Sequence, residues 1–288
     1  MVQRRIARVV TTPPLEQGFV GAGHLASQVL AGEGFPSTDP FIMLADDHLD
    51  IGERPVGGPH PHAGFETVTL LLEGAIHDRD EGGVIDTGEV QWMTAGSGII
   101  HGENVATTGK VRLLQLWLTL PKDRRWTEPR FQDLHADQIP VHVEPGVDVR
   151  LYSGRLGAIQ SPVLNHVPVL MTEVRLAPHT SFEHEVPLSY NGFVFVIGGS
   201  LRGDDLQVDA GQIGWLDRPR GEGIGRLRLT AGESGARLVL YAGEPQGDPI
   251  VSHGPFIGDS REDIVRLYSE FRAGRFERMS NLAHAAKA

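Results

Sequence analysis

The chain has 288 residues, of which 40% are hydrophobic and 22% charged, and its formal net charge is −11 at pH 7. This acidity disfavours direct binding to nucleic acid or to an anionic membrane surface, because both attract basic proteins. The sequence contains no cysteine, which excludes disulfides, thiol nucleophiles and thiolate metal sites.

The chain is long enough for two domains of roughly 100–150 residues, each with its own core. It contains 36 glycines and 19 prolines without a low-complexity tract, which favours many short strands joined by tight turns. No apolar run approaches the roughly 20 residues that a membrane-spanning helix needs. The basic N-terminus is not followed by an apolar core of the kind found in secretory signals, so we expect a cytoplasmic protein.

The first 50 residues predict an opening strand, glycine-rich turns and a short apolar strand at Phe41–Leu44. Four polar side chains follow that strand, and we expect them to form a solvated loop before Gly52 rather than a metal site: Asp46, Asp47, His48 and Asp50.

Two later stretches each carry a pair of potential metal ligands, His60 with His62 and His101 with Glu103. Residues two apart in a β-strand point to the same face. A lone His-x-His is usually a surface feature, but here both pairs adjoin glycine-rich turns and short apolar runs typical of buried strands. Two such strands, paired or facing each other, would form a pocket of three imidazole nitrogens and one carboxylate oxygen.

Imidazole and carboxylate ligands suit first-row transition metals. Four protein ligands would leave an octahedral ion two open positions, enough for an organic chelate and dioxygen. Structural zinc is the competing interpretation, but structural zinc sites are usually closed and rich in cysteine. The absence of cysteine therefore favours an open catalytic or sensing metal.

The second half of the chain repeats the first in outline. Gly88–Met93 has a counterpart in Gly211–Leu216, and Leu72–Gly74 in Ile197–Gly199, at offsets of about 123 and 125 residues, as expected of a duplicated β-domain. We predict a first domain over residues 1–125, a linker over 126–145 and a second domain over 146–288. The offsets place Glu185 and Pro187 opposite His60 and His62, and Ile224 and Arg226 opposite His101 and Glu103. Proline, isoleucine and arginine cannot ligate a metal, so we expect the second domain to lack the metal site.

We expect no second metal site at the nearby His179, Glu183, His184 and Glu185, because no partner strand supplies further ligands.

A helix is predicted near the end of the chain. Ser260 begins a capping-box pattern, and Gly274 is expected to stop the helix. Four apolar residues then fall on one helical face: Ile264, Leu267, Tyr268 and Phe271.

Several segments are similar to those of the pirin family within the cupin superfamily. They are DPFIMLADDHLD at 39–50, PHPHAGFETVTLLLEG at 59–74, VQWMTAGSGIIHGE at 90–103 and GPFIGDSREDI near the end. The resemblance implies an all-β bicupin of two β-sandwich or jelly-roll barrel domains with a short C-terminal helix. It also implies one metal, bound by His60, His62, His101 and Glu103. Ala63 departs from the family pattern, which usually has arginine there, so any role of that arginine at the cavity mouth is in doubt.

The resemblance further implies iron(II), with nickel, copper, zinc or manganese as alternatives, and a quercetin 2,3-dioxygenase-like reaction on a flavonol-like small molecule. Glu103 would accept the proton of the substrate hydroxyl. By strand alternation Glu66 would lie on the same face as His60 and His62, and in many cupins that position is a ligand. The pirin resemblance assigns the carboxylate to Glu103, so we expect Glu66 to orient a histidine rather than bind metal. The alternative function is a metal- and redox-dependent regulator that acts through a protein partner.

Overall fold

The computed structural model describes residues 2–52, 55–78, 83–105, 109–202, 206–279 and 282. The described chain is almost entirely β-structure with one short C-terminal helix, which confirms the predicted class. In the first part of the chain the strands are β1 (Val2–Arg4), β2 (Ile6–Thr11), β3 (Glu16–Gln17), β4 (His24–Gln28), β5 (Phe41–Leu49), β6 (Pro55–His62), β7 (Phe65–Glu73), β8 (Ala75–Asp78), β9 (Val84–Asp86), β10 (Val90–Thr94), β11 (Ile99–Val105), β12 (Val111–Thr119) and β13 (Arg130–Leu134).

The remaining strands follow in the second part, interrupted by the helix α1 (Arg261–Arg272). They are β14 (Val141–Glu144), β15 (Val147–Ser153), β16 (Arg155–Leu156), β17 (Ile159–Gln160), β18 (Val169–Leu176), β19 (Ser181–Pro187), β20 (Asn191–Arg202), β21 (Gln207–Asp209), β22 (Gln212–Leu216), β23 (Ile224–Gly243), β24 (Val251–His253), β25 (Phe256–Gly258) and β26 (Glu277–Arg278). No helix among the described residues is long and apolar enough to cross a membrane.

The chain divides into two compact units that are not continuous in sequence. The first unit combines Gln138–Pro245 with the N-terminal twelve residues and residues 38–40. Its sheet has the order β14-β15-β18-β23-β20-β22-β2, and β1 and β19 also pair with the long strand β23. Inward-facing aliphatic side chains of these strands form its core, including Val149, Leu151 and Leu240, all fully buried.

The second unit contains Pro13–Ser37, Phe41–Asp137 and the C-terminal segment from Gln246. It has one sheet in the order β13-β10-β7-β12-β5-β4-β3 and another in the order β26-β11-β8-β9, with β6 paired to β11. The predicted domain boundaries follow chain order, and these units do not. Within the predicted linker, β13 pairs with β10 of the second unit, and β14 pairs with β15 of the first.

The helix α1 begins as its capping pattern predicts. The Ser260 side chain accepts a hydrogen bond from the Asp263 N–H, and the Asp263 carboxylate accepts one from the backbone N–H of Ser260. Ile264 and Leu267 are buried in a cluster with Phe256. The helix therefore covers part of the unit formed largely by the first half of the chain.

The expected solvated loop at residues 46–50 is wrong, because β5 continues to Leu49, which is only 2% exposed. Asp46 is also buried, and both its oxygens accept hydrogen bonds from Arg112, at 2.9 and 2.7 Å. Arg112 and His48 lower the pKa of Asp46 against the opposing effect of burial. A neighbouring strand thus supplies the partner that lets a carboxylate occupy a buried strand position.

Glu66 is a second buried carboxyl, on β7, with no exposed surface. Its Oε1 accepts a hydrogen bond from the Thr94 hydroxyl at 2.7 Å. Burial raises the pKa of Glu66 from the ordinary 4.5 to about 7, although contacts with Thr94 and Trp92 and the charge of Arg130 oppose the shift. The folded protein therefore retains a proton on Glu66 at pH values where an exposed glutamate has released it.

We expect Glu66 to make the free energy of unfolding of the metal-free protein fall as the pH rises from 5 to 7. In this window the folded state binds a proton that the unfolded chain has lost, so stability declines with pH. The pKa difference between the two states corresponds to about 3 kcal/mol. Urea titrations in the presence of a chelator should show that Glu66→Gln, which remains neutral, removes most of this decline. An unchanged pH profile in the variant would contradict the assignment.

Candidate metal centre

The pairing of β6 with β11 brings the predicted ligand strands together. The two strands are antiparallel, and His60 lies opposite His101 while His62 lies opposite Ile99. Strand alternation then directs the side chains of His60 and His62 to one face. The sequence reasoning about residues two apart therefore holds for this pair.

The three histidine rings are in mutual contact. Ring centroids lie 4.4 Å apart for His60 and His101, 4.8 Å for His60 and His62, and 5.2 Å for His62 and His101. One nitrogen of each ring lies within 4.8 Å of the others. Only 7% of His62 and 4% of His101 is exposed. Three imidazoles at this separation can ligate one metal ion.

The electrostatics of the group favour a neutral ring at His62. Burial lowers the pKa of His62 well below its ordinary value, and the charges of His101 and His60 lower it further. The Nδ1–H of His60 donates to the carbonyl of Gly58 at 3.0 Å, which places the lone pair of the neutral ring on Nε2. Neutral imidazole is the form that binds a metal.

The ring of His62 also has a hydrogen-bond partner in the backbone of Pro255, which opposes the fall in its pKa. Such an outer partner holds a ligating histidine in one orientation. Three clustered imidazole donors fit a divalent transition metal, so the cluster could bind one such ion.

Glu103 is half-buried and lies on the wall of the same cavity. Among the described residues, the group of ligand atoms within 4.8 Å of one another consists of the three histidines. The β6–β11 register shifts between His101 and Glu103, and Glu103 pairs with Gly57. Such a bulge re-aims the side chains that follow it. The structure thus brings three of the four predicted ligands into one cluster, with Glu103 beside it.

Glu66 does not have the role expected from strand alternation. Its hydrogen-bond and electrostatic partners among the described residues are Thr94, Trp92 and Arg130, and no histidine is among them. The expectation assumed one continuous strand, but Gly64 adopts a φ of +87° between β6 and β7, and the two strands belong to different sheets. Thr67, next to Glu66, lines the cavity instead.

The histidine cluster lies in the wall of a cavity of about 680 Å³. Trp117 borders the cluster, with its ring centroid 5.6 Å from His62 and 4.3 Å from Phe65. Most of the lining surface is apolar and includes the side chains of Met43, Ala45, Leu49 and Leu113 on strands of the larger sheet. Polar side chains also line the cavity: Glu16, Gln17, His24, Gln28, Asp47, Thr67, Glu103 and Gln115. The volume is in the range typical of small-molecule sites.

Asp47, expected in a solvated loop, lines this cavity with other polar residues that the sequence did not single out, among them His24 and Gln115. Nε2 of His24 lies 2.7 Å from Oδ1 of Asp47, and the amide oxygen of Gln115 accepts a hydrogen bond from Thr69 at 2.9 Å. The alternation of Met43, Ala45, Asp47 and Leu49 along β5 could have placed Asp47 on the cavity face, had the strand been extended to Leu49.

The C-terminal segment supports the histidine strand. The N–H of Ala63 donates to the Pro255 carbonyl at 3.3 Å, and the N–H of Ile257 donates to Ala63 at 3.0 Å. A Cβ at Gly64 would lie 1.9 Å from the Ile257 carbonyl oxygen, so only glycine fits. Ala63, where the family usually has arginine, is fully buried against Phe256, and it is not among the cavity-lining residues.

The corresponding strands of the other unit show the same pairing with different residues. Pro187 pairs with Ile224 as His62 pairs with Ile99, and Glu185 pairs with Arg226 as His60 pairs with His101. The offset in this pair of strands is therefore 125 residues. The predicted match of Ile224 with His101 is wrong by two residues, because it used an offset of 123.

His184, named in the sequence analysis, is buried in that unit. Its Nδ1–H donates to the carbonyl of Glu185 at 3.0 Å, and Nε2 lies 3.4 Å from the Thr172 hydroxyl. Burial lowers the pKa of His184 to about 4. These contacts describe a neutral core histidine.

Comparisons with known proteins match both halves of the chain. The model of the family described as Pirin matches residues 24–118, and that of the Pirin C-terminal cupin domain matches residues 171–277. Human pirin is 32% identical over 269 residues, covering 90% of each chain. A Pseudomonas aeruginosa protein provisionally named quercetin 2,3-dioxygenase is 35% identical over 279 residues, covering 88% of this chain and 96% of its own.

A crystal structure titled quercetin 2,3-dioxygenase from Acinetobacter baumannii superposes with a TM-score of 0.83 at 25% identity, covering 96% of this chain and 99% of that one. The two family models together match more than half of the sequence, one in each half. The chain therefore belongs to the pirin family and has the bicupin fold.

Proposed function

We propose that this protein is a metal-dependent dioxygenase of the quercetin 2,3-dioxygenase type, acting on a flavonol-like chelating substrate. The observation that carries the proposal is a cluster of three histidines, two of them buried, in the wall of a largely apolar cavity of about 680 Å³. Two of the similar proteins described above carry quercetin 2,3-dioxygenase in their names.

His60, His62 and His101 would hold the ion, with Glu103 as the fourth ligand, as the family resemblance implies. Iron(II) is the proposed metal, although the donor set also suits nickel, copper, zinc or manganese. When bound, the ion would act as a Lewis acid and as a template for substrate and dioxygen.

Residues of the chain itself would accept the substrate proton, orient the substrate and exclude water from its reacting end. Glu103 lines the same cavity as the histidines, and its carboxylate would accept the proton of the substrate hydroxyl. The ring of Trp117 forms a flat apolar wall beside His62. An apolar lining of this kind orients a planar molecule and limits the access of water to the reacting end.

The alternative, a regulator acting through a protein partner, would be favoured by a blocked cavity. The cavity is large enough for a drug-sized ligand, so the enzymatic function is preferred. If the metal-loaded protein took up no oxygen with the substrate, the regulatory function would be favoured over the enzymatic one.

We expect anaerobically iron-loaded protein to consume oxygen when quercetin is added, and His101→Ala to abolish both iron retention and oxygen uptake. Loss of one of the three clustered imidazoles removes a metal ligand. His142→Ala is the matched control, because His142 lies on β14 of the other unit and is 41% exposed in its side chain. An oxygen electrode and metal analysis provide the two readouts. Full iron occupancy without oxygen uptake would contradict the proposal.

Glu103 is tested separately from the histidines. We expect Glu103→Ala to weaken iron binding at least about tenfold, since even outer-shell partners of ligands contribute this much, and to abolish turnover. Glu66→Gln should leave iron affinity unchanged, because Glu66 contacts Thr94 rather than the cluster. Competition with a coloured chelator measures both affinities. If Glu103→Ala bound iron as the parent does while Glu66→Gln lost it, the assignment of the carboxylate would be wrong.

A further inference from the structure

The cavity has a polar group away from the histidines, formed by His24, Asp47 and Gln115. Asp47 pairs with Leu113 on β12, four residues before Trp117. Four residues of a strand span about 13 Å, and Trp117 is the residue that borders His62. The polar group and the histidine cluster are therefore separated by roughly the length of several fused or linked rings.

The contacts of His24 define the tautomer of its ring. Its Nδ1 accepts a hydrogen bond from the backbone N–H of Val20 at 3.3 Å. Nε2 therefore carries the proton and donates it to Oδ1 of Asp47 at 2.7 Å. His24 is 1% exposed, so it is a buried support that holds the Asp47 carboxylate in one orientation.

Asp47 presents a hydrogen-bond acceptor to the cavity. Its side chain is 13% exposed, and it lines the cavity together with Met43 and Ala45. Among the described residues its hydrogen bond is the one from His24. A carboxylate has capacity for several donors, so Asp47 can accept further hydrogen bonds from a ligand.

Gln115 presents the complementary donor. Its Oε1 accepts the Thr69 hydroxyl, which directs the amide NH₂ away from Thr69. Gln115 pairs with Ala45, two residues from Asp47 on the adjacent strand. Asp47 and Gln115 are thus diagonal neighbours on the same sheet face, at a spacing of about 7 Å, and both line the cavity.

We propose that Asp47 and Gln115 bind the hydroxyl groups of a substrate ring that lies farthest from the histidines. The favoured ligand is a flat aromatic molecule with chelating oxygens at one end and adjacent hydroxyls at the other. One hydroxyl donates to Asp47, and its neighbour accepts from the Gln115 amide. The inference rests on the proposed function and adds the residues that select the substrate.

The surrounding residues support this assignment. Along the two paired strands, Leu113 lies opposite Asp47, Ala45 opposite Gln115, and Met43 opposite Trp117 at the histidine end. These apolar side chains line the cavity and suit the faces of an aromatic system. The adjacent Asp46 is already paired with Arg112. Asp47 is therefore the acidic residue of β5 that is directed to the ligand.

The test compares two flavonols. One is quercetin, and the other has the same fused rings but no hydroxyls on the separate phenyl ring, which is the ring proposed to lie farthest from the histidines. Their binding to metal-loaded protein is measured anaerobically by quenching of tryptophan fluorescence. The parent protein should bind quercetin about ten- to a hundredfold more tightly, as expected for hydrogen bonds to a charged group. Asp47→Asn should lose most of this preference while binding the unsubstituted flavonol as before, because its amide still accepts from His24 but turns a donor to the ligand.

Asp50→Asn is the matched control, since Asp50 is exposed and directly follows β5. The Asp50→Asn protein should bind both flavonols as the parent protein does. Gln115→Met is a second variant in case Asp47→Asn fails to fold, and it should also reduce the preference. An undiminished preference in both folded variants would overturn the inference and leave the proposed function intact. If the parent bound neither flavonol, both the inference and the proposed function would fail.

Discussion

The centre of this structure depends on one pair of antiparallel strands, β6 and β11, which places His60 opposite His101. Three imidazoles lie in contact as a result. Burial of His62, together with the charges of His101 and His60, lowers its pKa and keeps its ring neutral. Neutral imidazoles held this close together are suited to binding a metal ion.

The chain's last segment completes the unit that carries this cluster. Gly64 follows the histidine strand and approaches the Ile257 carbonyl too closely for any other residue. The fully buried Arg125 donates to the Gly64 carbonyl at 3.0 Å and to Asp259 at 2.6 Å. β26 pairs with the start of β11. These contacts explain why the GPFIGDSREDI segment, far from the histidines in sequence, belongs with the metal-binding part of the pirin motif set.

Sequence periodicity predicted what depends on local geometry. The two-residue spacing of His60 and His62 and the capping box at Ser260 both gave the observed arrangement. Predictions from periodicity were wrong where a partner residue on a distant strand, or an interruption of the strand alternation, decides the outcome. Asp46 is buried because Arg112 neutralises it, and Glu66 lies away from the cluster because Gly64 interrupts the alternation. Asp47 and His24 form a pair that only the folded sheet brings together.

The most direct test of the account is a crystal structure of the iron-loaded protein with an anomalous difference map collected at the iron edge. The account predicts a single strong peak between His60, His62 and His101, with iron–nitrogen distances of about 2.0–2.2 Å. A fully loaded crystal with its iron elsewhere, for example at Asp46 and His48, and no peak at the three histidines would contradict it.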